Sequence, residues 1–301
     1  MIRDQVLRAI AHNREPGLHF AGNFLGISWD HVEASETRLS LDVAPHVADA
    51  DGQLDIGALA MLVDFALANC MRAILEPHQR LATVSLTMEL TDAPRIGRLE
   101  ATGRFRGFIR EGRGRIGKSE VLVVSKSKTL CVGSGAFMAL DPPSEVKLHP
   151  VPHRRRDDPP APLLNEGELR EDERAILSRT EKAIADPLPS FIERFWGYLP
   201  HRTAAGASCK APNGLHIGNR VGHAQGGVLL GLAASTAACA LPPSWRLSAV
   251  SGWFLRPGQG EALTAKSAIV HQGRLTALAR TTVSDPERRA VIEVMTTHAH
   301  P

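Results

Sequence analysis

Apolar residues run almost unbroken through positions 56–71 and again from position 226 onward, and each run has the length of a buried helix rather than a strand. Downstream of the first run the pattern changes to Val- and Thr-rich stretches bounded by Gly, Pro and Asp-Pro. These predict strands over 83–90, 99–109, 118–125 and 129–140. The same change follows the second run, predicting strands over 248–255, 262–271, 275–284 and 290–298. A helix over 4–12 precedes the first set. A charged helix over 168–185, with Ile176, Ala183 and Ile184 near helical spacing, precedes the second. Each half therefore reads as a helix, one or two strands, a long apolar helix, and three or four strands. Strand runs that follow one another after a single helix predict an antiparallel sheet with that helix packed on one face, an α+β fold.

The two halves align in detail. Asp55-Ile56-Gly57-Ala58-Leu59-Ala60-Met61-Leu62-Val63-Asp64 and Gln225-Gly226-Gly227-Val228-Leu229-Leu230-Gly231-Leu232-Ala233-Ala234 superpose without a gap. The first carries a carboxylate where the second has Ala234, and the second carries Gly226-Gly227 where the first has Ile56-Gly57. Further landmarks recur in order. Gly114-Arg115 matches Gly273-Arg274, Ser125 and Ser284 each stand ten residues after the arginine, and Pro94 and Pro257 each close an extended run. A period of about half the chain predicts two fused domains, whereas short-repeat solenoids use units of ~20–50 residues. The expected division is 1–141, a linker over 142–163, and 164–301. The linker region holds seven prolines and the run Arg154-Arg155-Arg156-Asp157-Asp158. Proline removes donors and fixes φ, so an extended, solvated segment is expected there.

Composition narrows the class. At 301 residues, 43% hydrophobic and 22% charged, the chain has room for two cores. A net charge of +3 is too small to imply nucleic acid. No apolar run approaches the ~20 residues of a membrane span, and the charges recurring through the first residues do not fit a signal peptide. Cys70, Cys131, Cys209 and Cys239 lack metal or redox spacing and are expected as buried free thiols of a reducing cytoplasm. The glycines of 112–117 have the spacing of a dinucleotide fingerprint, but strand-like residues follow where that fingerprint needs a helix, so a turn between strands is expected.

Asp64 is the only charged residue between Ile56 and Met71. Burying a carboxylate is costly unless it is paired, and burial raises its pKa, a signature of functional sites. A structural Asp capping a neighbouring backbone group is the alternative. Gln225-Gly226-Gly227 opens the second apolar helix, where unpartnered N–H groups and the helix dipole stabilise an oxyanion. Glycine there lets a carbonyl approach the backbone closely. Asn219 and His223 lie in the preceding loop, where each has a plain loop-forming or solvated alternative.

Helix-start Gly-Gly, an aspartate eight residues after the first glycine position, and the strand Thr83-Val84-Ser85-Leu86 running to Pro94 resemble the hotdog-fold acyl-CoA thioesterases, in particular the group that includes the phenylacetate-pathway thioesterase. The resemblance covers both halves. It implies two tandem hotdog domains, each a long helix wrapped by an antiparallel sheet, forming an intrachain pseudo-dimer. In that family Asn and His-Gly-Gly come from one subunit, and Asp and a hydroxyl residue from the other. Carried over, Asn219 takes the asparagine position, Gly226 the oxyanion glycine, Asp64 the catalytic aspartate and Thr83 the hydroxyl. Gln225 stands where the family has histidine. The other pseudo-site holds Asp49, Asp55, Ile56 and Ala234, and is expected to be inactive. The resemblance implies hydrolysis of an acyl-CoA at one composite site without cofactor or metal. Pairing of two such chains into a homodimer is left open. Arg104, Arg106, Arg110, Arg113 and Arg115 are candidates for the CoA phosphates. A hydratase or dehydratase would want an Asp–His pair, for which only His216 and His223 are near. A non-catalytic acyl-CoA-binding module is the other alternative.

Overall fold

The computed structural model describes residues 2–76, 79–110, 115–141, 148–186 and 188–300. In the first half, α1 (Ile2–Asn13), α2 (Phe20–Leu25), β1 (Ser28–Val32) and β2 (Glu36–Asp42) precede α3 (Ile56–Arg72). After α3 come β3 (Arg80–Leu90), β4 (Arg98–Arg110), β5 (Ile116–Ser125) and β6 (Lys128–Leu140). The second half repeats the order with α4 (Glu171–Ala185), α5 (Phe191–Trp196), β7 (His201–Thr203), β8 (Gly206–Pro212), α6 (Gly226–Ala240), β9 (Arg246–Phe254), β10 (Ala262–Gln272), β11 (Thr276–Ser284) and β12 (Ala290–Ala299). The short helices α2 and α5 are absent from the sequence expectation. They are single-turn-scale apolar segments ended by Gly26 and Gly197 in the left-handed region, too short to show a helical period.

All pairings between these strands are antiparallel. They form one sheet in the order β1-β2-β4-β5-β6-β3-β9-β12-β11-β10-β8-β7. Read from either edge, the strands appear in equivalent order. The centre is the β3–β9 pair, with Ser85 opposite Trp253 and Glu89 opposite Ala249.

Helices α3 and α6 are apolar all round because they are covered on every side, by the sheet and by each other. They run antiparallel. A Cβ on Gly227 would lie 2.5 Å from Met61 N, and one on Gly231 would lie 2.5 Å from Gly57 Cα. Close backbone approach at these two places therefore requires glycine. It brings the N-terminus of each helix beside the middle of the other, which sets the site described below.

The described part of the Pro-rich segment, 148–163, has neither helix nor strand, as its prolines require. It is docked rather than freely solvated. Trp29 N–H donates to Arg154 O at 2.9 Å, Arg8 to Ala161 O, and Arg154 and Arg156 pair with Glu15 and Asp42. Pro142 and Pro143 lie outside the described residues. Cys70, Cys131 and Cys209 are buried and Cys239 half-buried, all as free thiols. Residues 111–114 of the glycine-rich turn also lie outside the described residues, and strand β5 follows it. Among the described residues no helix is long and apolar enough to cross a membrane.

Candidate active site

Helix α3 carries Asp64 into the interface, where it is only 8% exposed. Both carboxylate oxygens are held. Thr83 Oγ donates to Oδ1 at 3.1 Å, and Gln225 Nε2 donates to Oδ2 at 3.0 Å. Thr83 sits at the irregularity where the β3–β6 register shifts between Thr83 and Ser85, and such a bulge re-aims a side chain. Burial pushes the Asp64 pKa up to about 6, while the bonds from Thr83 and Gln225 and the charge of Arg72 oppose the rise.

Gln225 is the N-cap of α6. Its Oε1 accepts from Gly227 N–H and Val228 N–H, so its Nε2 must face the carboxylate. This orientation explains a glutamine at the position. One end of the amide satisfies helix donors while the other holds an anion, and a carboxylate could do only the first. The Gly226 amide, as the first of the helix, has no intrahelical acceptor and is not taken by the Gln225 side chain. Among the described residues no acceptor meets it.

Asp64, Thr83, Asn219, Gln225 and Gly226 all line one cavity of about 410 Å³ between the two halves. Asn219 is placed differently from the other four. Its Oδ1 accepts from Val221 N–H and His223 N–H, both at 3.0 Å, which closes its own loop. Asp49, its counterpart, does the same with Asp51 N–H and Gln53 N–H and also pairs with Arg95. The shared feature of this position in the two halves is thus the loop.

Among the cavity residues not singled out by sequence are His19, Arg72, Arg80, Arg220 and Arg256. His19 N-caps α2 through Nδ1, which accepts from Gly22 N–H at 3.1 Å, and burial lowers its pKa to about 3. Three of the arginines proposed for CoA phosphates lie elsewhere. Arg104 pairs with Glu36, Arg106 with Glu120, and Arg115 lies 4.6 Å over the Phe108 ring. None of these three lines the cavity. The side chain of Arg110, and all of Arg113, lie outside the described residues. The cations that do line it are Arg72, Arg80, Arg220 and Arg256. His216 is buried edge-on against Phe195 and does not line the cavity, and His223 Nε2 meets Gln259 Nε2 at 3.0 Å.

The mirror position is filled. Asp55 caps α3 through Gly57 N–H and Ala58 N–H, and burial raises its pKa to about 7. Ala234, the counterpart of Asp64, offers no carboxylate. Tyr198 donates its hydroxyl to Val228 O, and a Cβ on Gly57 would be 2.9 Å from both the Trp196 ring and the Tyr198 oxygen.

Residues 217–299 match the family model of the acyl-CoA thioesterase N-terminal domain. No curated protein matches the chain. Among solved structures, a protein described as an oleoyl thioesterase from Lactobacillus plantarum is similar over 89% of this chain and 97% of its own, with 10% identity and a TM-score of 0.57. A protein of unknown function with a hotdog fold from Alicyclobacillus acidocaldarius covers 91% and 95%, with 10% identity and a TM-score of 0.53. An acyl-ACP thioesterase from Bacteroides thetaiotaomicron covers 87% and 97%, with 10% identity and a TM-score of 0.51. At such identities these likenesses carry the fold. The resemblance read from the sequence is borne out: the chain resembles the hotdog-fold acyl-CoA thioesterases, by family model over residues 217–299 and by fold over nearly all of the chain.

Proposed function

We propose that this chain hydrolyses an acyl-CoA thioester at one composite site between two tandem hotdog domains, 1–141 and 164–301, joined by the segment 142–163. The symmetric strand order and the matched motifs support a duplication whose two copies act as a fused dimer. The observation that carries the functional reading is the Gln225–Asp64 hydrogen bond, in which the helix start of one half holds the carboxylate of the other.

In this reading the thioester carbonyl accepts from Gly226 N–H, and the developing oxyanion is stabilised by that donor and the α6 dipole. An ionised carboxylate offers about four lone-pair sites. Thr83 and Gln225 occupy two, leaving Asp64 free to accept a proton from water. Water oxygen bonds to the carbonyl carbon as its proton passes to Asp64. When the tetrahedral intermediate collapses, the C–S bond breaks and the thiolate takes that proton, leaving acid and free CoA. Asn219 shapes the loop that presents Gln225 and Gly226. Arg80 and the exposed Arg256 supply positive charge for the CoA phosphates. Release of free thiol from a panel of acyl-CoAs tests the reading. Turnover supports it, while loss of the thioester without thiol release points to hydration, and binding alone points to a non-catalytic module.

A further inference from the structure

The cavity is strongly unbalanced in charge. Among the described residues Asp64 is its only lining carboxylate, against Arg72, Arg80, Arg220 and Arg256. Arg256 is exposed and bonds Ala290 O, whereas Arg72 and Arg220 are half-buried and His19 is buried. Arg220 is anchored by the His149 carbonyl. Arg72 is not anchored: among the described residues it makes no hydrogen bond or ion pair, though it lies close enough to Asp64 and Arg220 to feel both charges. Enclosure and the neighbouring Arg220 lower its pKa to about 10. Two half-buried guanidinium groups that line one cavity and repel each other are costly unless something anionic joins them.

His19 points the same way. Its Nδ1 is an acceptor for Gly22 N–H, and the ring is kept neutral by burial, so the remaining proton is on Nε2. That gives a donor of fixed tautomer on a residue lining the cavity.

Position says which part of a substrate would carry the anion. Asp64, Ala68 and Arg72 line the cavity at i, i+4 and i+8 of α3. At the α-helical rise the two end residues are only ~12 Å apart along the axis, and helix side chains lean back toward the N-terminus, carrying the guanidinium toward Asp64. The phosphates of CoA are held away from the thioester by the whole pantetheine arm. A charge this close to the thioester carbon belongs to a short acyl group. On the reading that Asp64 marks the thioester, we propose that the substrate is the monothioester of a short dicarboxylic acid. Its free carboxylate is bound by Arg72, in the bidentate geometry that guanidinium and carboxylate share, with Arg220 and His19 completing the site.

The test uses thioether analogues, which cannot be hydrolysed, so its outcome does not depend on catalysis. Calorimetric titration compares a carboxyalkyl-CoA thioether with the methyl-ended thioether of equal length, in wild type, Arg72→Gln and Arg72→Lys, each checked by thermal melting. The expected result is at least about tenfold tighter binding of the carboxyl-ended analogue by wild type, with the ratio falling toward one in Arg72→Gln and intermediate in Arg72→Lys. The preference should persist when both tails are carried on N-acetylcysteamine, which has no phosphate. A wild-type ratio near or below one overturns the proposal. So does a ratio indifferent to Arg72 while both CoA analogues weaken together, which would assign Arg72 to the CoA phosphates. Thiol release without carboxylate preference would sink this inference alone. Preference without thiol release from any thioester would instead sink the hydrolase reading.

Discussion

Gln225 Nε2 donates to Asp64 Oδ2 at 3.0 Å, joining residues 161 positions apart, while the oxygen of the same amide caps the helix that begins at Gly226. One side chain therefore couples the position of the carboxylate to the position of the helix start. Any movement of α6 against α3 would separate the groups together, and the glycines at 227 and 231 fix that packing at backbone contact.

Replacing Gln225 separates its two roles. Gln225→Glu keeps an oxygen to cap α6 but removes the donor to Asp64 and sets a second carboxylate against it, which raises the pKa of the pair. Thiol release should fall by about 10²-fold or more at neutral pH, and the acid limb of the pH profile should move upward. Gln225→Ala should also lose about 1 kcal/mol of stability with the cap, read from urea denaturation.

The pH profile follows from burial. With the Asp64 pKa raised to about 6, log kcat/KM should rise through pH 6 and then level, because only the ionised carboxylate accepts a proton from water. Stability has the opposite sign. A carboxyl raised from 3.8 stabilises the fold fully below that value and loses the contribution as pH rises through about 6. Asp64→Asn should therefore melt no lower than wild type at pH 8, and its relative advantage should disappear by about pH 4. A profile with its acid limb near pH 4 would contradict the assignment.

The mirror site should bind no ligand. Ala234 cannot activate water, Ile56 stands where Gly226 admits a carbonyl, and Trp196 and Tyr198 occupy the space beside Gly57. Titration with a non-hydrolysable acyl-CoA analogue should give a stoichiometry near one per chain. Two equivalent sites would mean that the second half-site functions.

The route of oxygen separates a general-base Asp64 from a nucleophilic one whose anhydride is opened by water at the aspartyl carbon. In a single turnover in heavy-oxygen water, a general base places solvent oxygen in the product acid at once. A nucleophilic Asp64 whose anhydride is opened by water at the aspartyl carbon would first give acid carrying its own unlabelled oxygen, and Asp64 itself would take up solvent oxygen. The arrangement of Thr83 and Gln225 on the two carboxylate oxygens predicts labelled acid in the first turnover.

What was legible in the sequence depended on how local the signal was. Asp64 stood out because an isolated carboxylate in an apolar helix breaks a pattern, and Gln225 and Gly226 because they begin the matching helix. The strands were legible because each is a Val/Thr run closed by a turn residue. Arg72 was not, since an arginine in the last turn of a helix reads equally well as a complement to the helix dipole. His19 was hidden for another reason: its role comes from capping α2, a helix of six residues that gives no periodic signal. Arg104 and Arg106 do not line the cavity, and strand alternation already places them together on one face, where each finds a glutamate.

The central claim is that a carboxylate from the first half works with the helix start of the second, and Asp64 tests it most directly. The decisive measurement is thiol release from an acyl-CoA by wild type and by Asp64→Asn, with circular dichroism and melting confirming that both are folded. The account predicts that Asp64→Asn keeps the fold and loses about 10²–10⁴-fold or more in kcat/KM. Near-normal turnover by the folded Asp64→Asn protein would contradict it.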